Sequence, residues 1–92
     1  MYKVRGTKKY KKSFKKLLNA GLVKREEVEK IINVLKQGLK LDAKYRDHQL
    51  KGKFSQCREC HVRGDLLLVY EKDEEELILV FVNIGTHSQL FG

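Results

Sequence analysis

The residues best suited to chemistry in this sequence are three histidines, His48, His61 and His87, with the carboxylates Glu59 and Asp65 close to the second of them. His48 sits in Asp47-His48-Gln49-Leu50-Lys51-Gly52, and His61 follows Cys57-Arg58-Glu59-Cys60. His87 stands near the end of the sequence, in Gly85-Thr86-His87-Ser88-Gln89-Leu90-Phe91-Gly92. An imidazole has an ordinary pKa of about 6.5, so it can both take and give a proton near neutral pH. Cleaving RNA needs both acts: a base to activate the ribose 2′-hydroxyl and an acid to protonate the leaving 5′-oxygen. Each is worth roughly 10²–10⁴-fold in rate. Cations must also stabilise the charge that gathers on the phosphate. In an extended strand Glu59 faces the same side as His61, and Asp65, across the next turn, could meet that ring. The parts of a ribonuclease are therefore present, although many proteins hold the same parts in another arrangement.

The cysteines could suggest different chemistry. Cys57-Arg58-Glu59-Cys60-His61 has the C-x-x-C-H spacing of a c-type haem attachment site. That attachment takes place outside the cytoplasm, and the basic start MYKVRGTKKYKK leads into no apolar export segment. An extended backbone would also turn Cys57 and Cys60 to opposite faces, which opposes a disulfide or a shared zinc ion. The expectation is two reduced cysteines, no metal and no cofactor, in a cytoplasmic protein.

These residues must be positioned by a small fold. The sequence has 92 residues, enough for one domain (residues 1–92) with one modest core. It contains no proline and shows no repeat or linker composition. Residues 2–5 can form a short first strand. Tyr10, Phe14, Leu17 and Leu18 then fall on one face of a helix, with Thr7 as its N-cap and Asn19-Ala20-Gly21 as its stop. A second helix is expected over residues 25–37, with Val28, Ile31, Ile32 and Leu35 facing the core and Gly38 ending it. Glu26, Glu27 and Glu29 suit the positive end of its dipole. Residues 39–53 read as irregular and polar.

After that the period becomes two, and residues 54–62, 65–71 and 77–83 read as strands of an antiparallel meander. The strand from Leu77 is apolar on both faces, as a central strand would be. Residues 85–92 read as a tail. The predicted fold class is α+β: a short strand, an antiparallel helical hairpin and a three-stranded meander, with the helices on one face of the sheet.

Charge points to a partner. The sequence carries 20 Lys and Arg against 12 Asp and Glu, a formal net charge of +8. Such an excess favours nucleic acid, an anionic surface or an acidic protein. No apolar run approaches the roughly 18 residues that cross a bilayer, so no membrane is expected. Basic residues alone make up the charge of residues 1–16, whereas Asp73 to Glu76 form the one acidic cluster.

Three blocks together resemble the signature of the YafQ branch of the RelE/ParE superfamily, toxins of type II toxin–antitoxin systems. They are Tyr45-Arg46-Asp47-His48-Gln49-Leu50-Lys51-Gly52, then Arg58-Glu59-Cys60-His61-Val62 with Asp65, then Gly85-Thr86-His87-Ser88-Gln89-Leu90-Phe91. The resemblance spans nearly the whole chain and implies a RelE-like fold. It also implies a toxin that enters the ribosomal A site and cuts mRNA without a metal, by 2′-hydroxyl attack and a cyclic phosphate. A cognate acidic antitoxin would neutralise it.

Carried over by position, the catalytic set would be His48, Glu59, His61, Asp65, His87 and Phe91. His87 would be the acid, and His48 or His61 the base or the group that orients it. Glu59 and Asp65 would tune the imidazoles, and Phe91 would stack on a base or anchor the tail. Lys8, Lys9, Lys12, Lys16, Lys51, Lys53, Arg58 and Arg63 would contact mRNA or the 16S rRNA of the ribosome. The chain departs from the pattern at Asn83, where relatives often carry an arginine for the phosphate; Arg58, Arg63 or a lysine would have to replace that charge. Glu59 stands where some relatives have aspartate. Two other readings share the fold or the charge: a ParE-like module that poisons DNA gyrase, and an RNA-binding protein without activity. Gyrase poisoning requires no acid–base residues, so the histidine set opposes the first.

Overall fold

A computed structural model describes all residues, 1–92, as an α+β fold built on a five-stranded mixed sheet. In chain order the elements are β1 (Lys3–Gly6), α1 (Lys8–Asn19), α2 (Arg25–Lys36), β2 (His48–Gln49), β3 (Arg58–Arg63), β4 (Leu66–Asp73), β5 (Ile78–Thr86) and α3 (His87–Phe91). The strands lie in the order β1-β5-β4-β3-β2. β1 runs parallel to β5, and the other pairs are antiparallel. No helix is long and apolar enough to cross a membrane.

The first helix forms as its sequence dictates. The Thr7 hydroxyl accepts from the Tyr10 N–H at 3.0 Å and donates to the Val82 carbonyl at 2.7 Å, so one side chain caps α1 and ties it to β5. Gly21 takes φ +71 after the helix, a conformation that costs glycine little. In α2, Glu27 accepts from the Lys24 N–H at 2.9 Å and also pairs with Arg63 at 3.0 Å. Tyr10 and Leu17 of α1 join Val28, Ile31 and Leu35 of α2 in one core with Cys60, Leu68, Tyr70, Leu79 and Phe81 of the sheet. Both helices thus cover one sheet face, as expected.

Four expectations need correction. Residues 39–53 are not wholly irregular: they hold β2 and 3₁₀ turns at Ala43–Tyr45 and Gly52–Phe54. β3 begins at Arg58, not at residue 54, because Phe54 closes one of those turns. Leu77 is a turn residue with φ +55, and β5 runs on to Thr86 instead of stopping at residue 83. The expected tail is the helix α3, whose N-cap Thr86 and third residue Gln89 bond each other's backbone N–H groups at 3.3 and 2.8 Å.

The third helix lies over the opposite sheet face from α1 and α2, and a bulge explains why. Tyr70 pairs with Phe81, yet Val69 pairs with Asn83, so Val82 is an extra residue in β5. A bulged residue turns the following side chains to the other face. Phe81 therefore points into the helix-side core, whereas Asn83 and Gly85 share the outer face with Val69 and Leu67.

Candidate active site

Register assembles the site on that outer face. Cross-strand partners share a face, so His48, Glu59, Val69 and Asn83 form one row across β2, β3, β4 and β5. His61, Leu67 and Gly85 form the next row. α3 begins just beyond Gly85 and folds over these rows. The resulting open cleft, about 320 Å³, is lined by His48, Leu50, Lys51, Phe54, Glu59, His87 and Phe91.

Within it, His48 Nε2 lies 2.9 Å from Glu59 Oε2, and His48 Nδ1 lies 2.7 Å from the Arg46 carbonyl oxygen. A carbonyl only accepts, so Nδ1 donates to it, and Nε2 is the ring nitrogen that faces the carboxylate. Glu59 is 6% exposed, and its Oε1 has no hydrogen-bond partner. A buried carboxylate oxygen left alone is costly, and functional sites are where such costs persist.

His87 is exposed, with its ring 5.2 Å from that of Phe91. Phe91 in turn makes an edge contact with Phe54 at 5.2 Å, which seats α3 on the turn before β3. Phe54, absent from the sequence-level set, is therefore part of the site. An isolated aromatic in a polar stretch gave only a weak signal of this.

Gly85 explains how α3 can lie so close. A Cβ there would sit 2.7 Å from Gln89 Oε1, the atom that accepts from the Thr86 N–H. Gly85→Ala should break that capping bond, fray α3 and displace His87. A lost cap is worth about 1 kcal/mol, so the melting temperature should fall only slightly. Any activity that depends on His87 should fall on the order of 10–100-fold, since misplacement by about 1 Å can cost that much. Loss of the Phe54–Phe91 ring contact in NMR spectra would accompany it.

Several expected residues lie elsewhere. His61 shares the face but does not line the cleft; its Nδ1 donates to the Gly64 carbonyl at 2.8 Å, leaving Nε2 unengaged. The Gly64 carbonyl, not Asp65, orients this ring, and Asp65 is exposed in the turn. Arg58 pairs with Tyr70 on the helix side of the sheet and is bound by Asp47 at 3.2 Å. Burial alone would lower its guanidinium pKa, but the hydrogen bonds to Asp47 and Tyr70 and the Asp47 charge hold it above the usual value. Arg63 bonds Glu27 and the Leu22 carbonyl. Neither arginine lines the cleft, so Lys51 is the cation there. Asn83 spends its Oδ1 on the Ile84 N–H at 2.9 Å. Lys53 lies over the Phe54 ring at 5.5 Å.

The cysteines are both buried and free, and burial pushes the Cys60 thiol up to about 12, with Asp47 and Glu59 adding to the effect. No three His, Cys, Asp or Glu side chains converge as a metal-holding group.

Known proteins resemble this chain in sequence and fold. The sequence model of a family described as bacterial toxin of type II toxin–antitoxin system, YafQ, matches residues 2–92. The mRNA interferase toxin YafQ of Escherichia coli K12 is 41% identical over 54 residues, which are 59% of this chain and 56% of that protein. The match thus spans about half the length of that relative. A metal-bound toxin from Helicobacter pylori superposes with a TM-score of 0.92 at 38% identity, covering 99% of this chain and 100% of that one. A chain of the Escherichia coli DinJ–YafQ complex superposes with a TM-score of 0.88 at 26% identity, covering 100% of both chains.

Proposed function

Because this chain belongs to the YafQ family of type II toxins, we propose that it is a cytoplasmic endoribonuclease that cuts mRNA in the ribosomal A site by metal-independent acid–base catalysis. The observation that supports this most is the convergence of the His48–Glu59 pair and His87 on one cleft beside Lys51 and Phe91. The 2′-hydroxyl gives its proton to the His48–Glu59 pair as O2′ attacks phosphorus. Lys51 stabilises the phosphate oxygens, and His87 gives its proton to the departing 5′-oxygen. The products are a 2′,3′-cyclic phosphate and a 5′-hydroxyl. Phe91 and Phe54 stack on a flanking base, a contact worth about 1–3 kcal/mol. His61, one row along with Nε2 free, contacts the adjoining phosphate.

End-group analysis of the cut RNA tests the chemistry, using protein freed of metal by a chelator that is then removed. Cyclic phosphate and 5′-hydroxyl ends at undiminished rate are expected. Ends of the opposite kind, or activity restored only by a divalent ion, would overturn the mechanism.

Lys8, Lys9, Lys12 and Lys16 are exposed on α1, which packs on the sheet face opposite the cleft. An RNA strand in the cleft does not pass them, so they contact a second strand, the ribosomal RNA. Replacing all four by glutamine should weaken ribosome binding and reduce the slope of log affinity against log salt by roughly three, for four phosphate contacts. The rate at saturating ribosomes should stay the same. An unchanged slope would remove these lysines from the interface. The partner that silences the toxin is an acidic antitoxin, by analogy with the DinJ–YafQ complex and in keeping with the net charge of +8.

A further inference from the structure

A second polar cluster lies directly behind the cleft, on the helix side of the sheet. The buried Tyr70 hydroxyl donates to Asp47 Oδ1 at 2.6 Å, and Arg58 Nη2 donates to Asp47 Oδ2 at 3.2 Å. Arg58 Nη1 reaches Gln49 Oε1 at 3.3 Å. The Gln49 side-chain amide donates to the Cys57 carbonyl at 2.9 Å and also to that of Ser55. Tyr70 is only 1% exposed and packs against Phe81, so the cluster is anchored in the core. Burial, with Asp47 as acceptor, holds the Tyr70 pKa well above its usual value, which keeps the hydroxyl a donor.

None of these residues lines the cleft, yet the cluster holds the chain that bears His48. β2 is two residues long and at the edge of the sheet, with one strand as neighbour. Such a strand is weakly fixed by its ladder alone. Arg46, just before it, takes the left-handed conformation with φ +51, which is unfavourable for a residue with a side chain. The carbonyl of that strained residue is the one that fixes His48 Nδ1. Asp47 lies between the two, and successive residues of an extended chain point to opposite faces. Its carboxylate therefore grips the core on one side while His48 meets Glu59 on the other.

We propose that Asp47, gripped by Tyr70 and Arg58, is a positioning residue that fixes the Arg46 carbonyl and thereby the His48 ring against Glu59. The catalytic consequence rests on the ribonuclease reading above; the effect on the ring does not. Asp47→Ala should release the turn, Asp47→Asn should keep the acceptor for Tyr70 but lose the charge facing Arg58, and Tyr70→Phe should remove one hydroxyl from an otherwise intact core.

The experiment combines NMR of the His48 imidazole with kcat and KM on programmed ribosomes, for wild type and the three variants. In wild type the Nδ1 proton should be observable and slow to exchange. In Asp47→Ala it should be lost to exchange, with kcat lower on the order of 10–100-fold and KM within about twofold. Asp47→Asn should recover part of both signals, and Tyr70→Phe should lie between Asn and wild type. An unchanged His48 proton in folded Asp47→Ala or Tyr70→Phe protein would overturn the proposal. A changed proton with wild-type kcat would overturn its catalytic consequence. If wild type itself cuts nothing, the ribonuclease reading fails, while the imidazole spectra still decide the positioning claim.

Discussion

His87→Ala is expected to lower the single-turnover cleavage rate on programmed ribosomes by roughly 10²–10⁴-fold, the usual worth of a general acid. Binding should hold within a fewfold and the melting temperature should stay the same. His87 is exposed and supports nothing in the core; its one ring contact is with Phe91 at 5.2 Å. The loss should be largest for substrates with a poor leaving group. An RNA whose scissile 5′-oxygen is replaced by sulfur leaves without a proton, so it should recover most of the lost rate. Wild-type cleavage by the variant, or no recovery with the sulfur substrate, would remove His87 from the acid role.

Glu59→Gln is expected to do two opposite things. The amide keeps the shape of the side chain and a hydrogen bond to His48 but cannot take a proton. Cleavage should fall by roughly 10²–10³-fold. Stability should rise, because a buried carboxylate with Oε1 unpartnered is replaced by a neutral group that is cheaper to bury. A gain of about 1 kcal/mol would raise the melting temperature of a domain this size by roughly 4–8 °C. Such a trade is expected where a site is strained for function. Thermal melts and cleavage rates on the same preparation check both halves. A variant that is less stable and fully active would show that Glu59 is a structural residue.

The helices were legible because their signals are local. Thr7 as a cap, the apolar spacing from Tyr10 to Leu18 and the glycines that end α1 and α2 all act within a turn or two of the chain. The site was legible only in part. Glu59 and His61 share a face, as a regular strand requires. Uniform alternation, however, would put Asn83 on the face of Phe81. The extra residue at Val82 reverses this, and a bulge comes from long-range pairing with β4 that no local pattern carries. The same holds for β2, two residues long and formed only because Glu59 and Arg58 lie opposite.

The C-terminal helix was missed because five residues are too few for a period; its signal was the Thr86 and Gln89 box after a glycine. Arg58 and Arg63 looked like phosphate ligands by type. Their partners, Asp47 and Glu27, lie 11 and 36 positions away in sequence, and only the fold brings them together. The family resemblance supplied what spacing could not, an expected role for each histidine, and the fold brings His48 and His87 to one cleft.

Primer extension on mRNA recovered from ribosomes programmed with a defined codon in the A site tests the central claim most directly. Purified wild-type protein should produce new 5′ ends within that codon, and the ends should move by three nucleotides when the ribosome is stalled one codon further along. Intact mRNA in the presence of folded, ribosome-bound protein would contradict the account and direct attention to the gyrase-binding reading of the same fold.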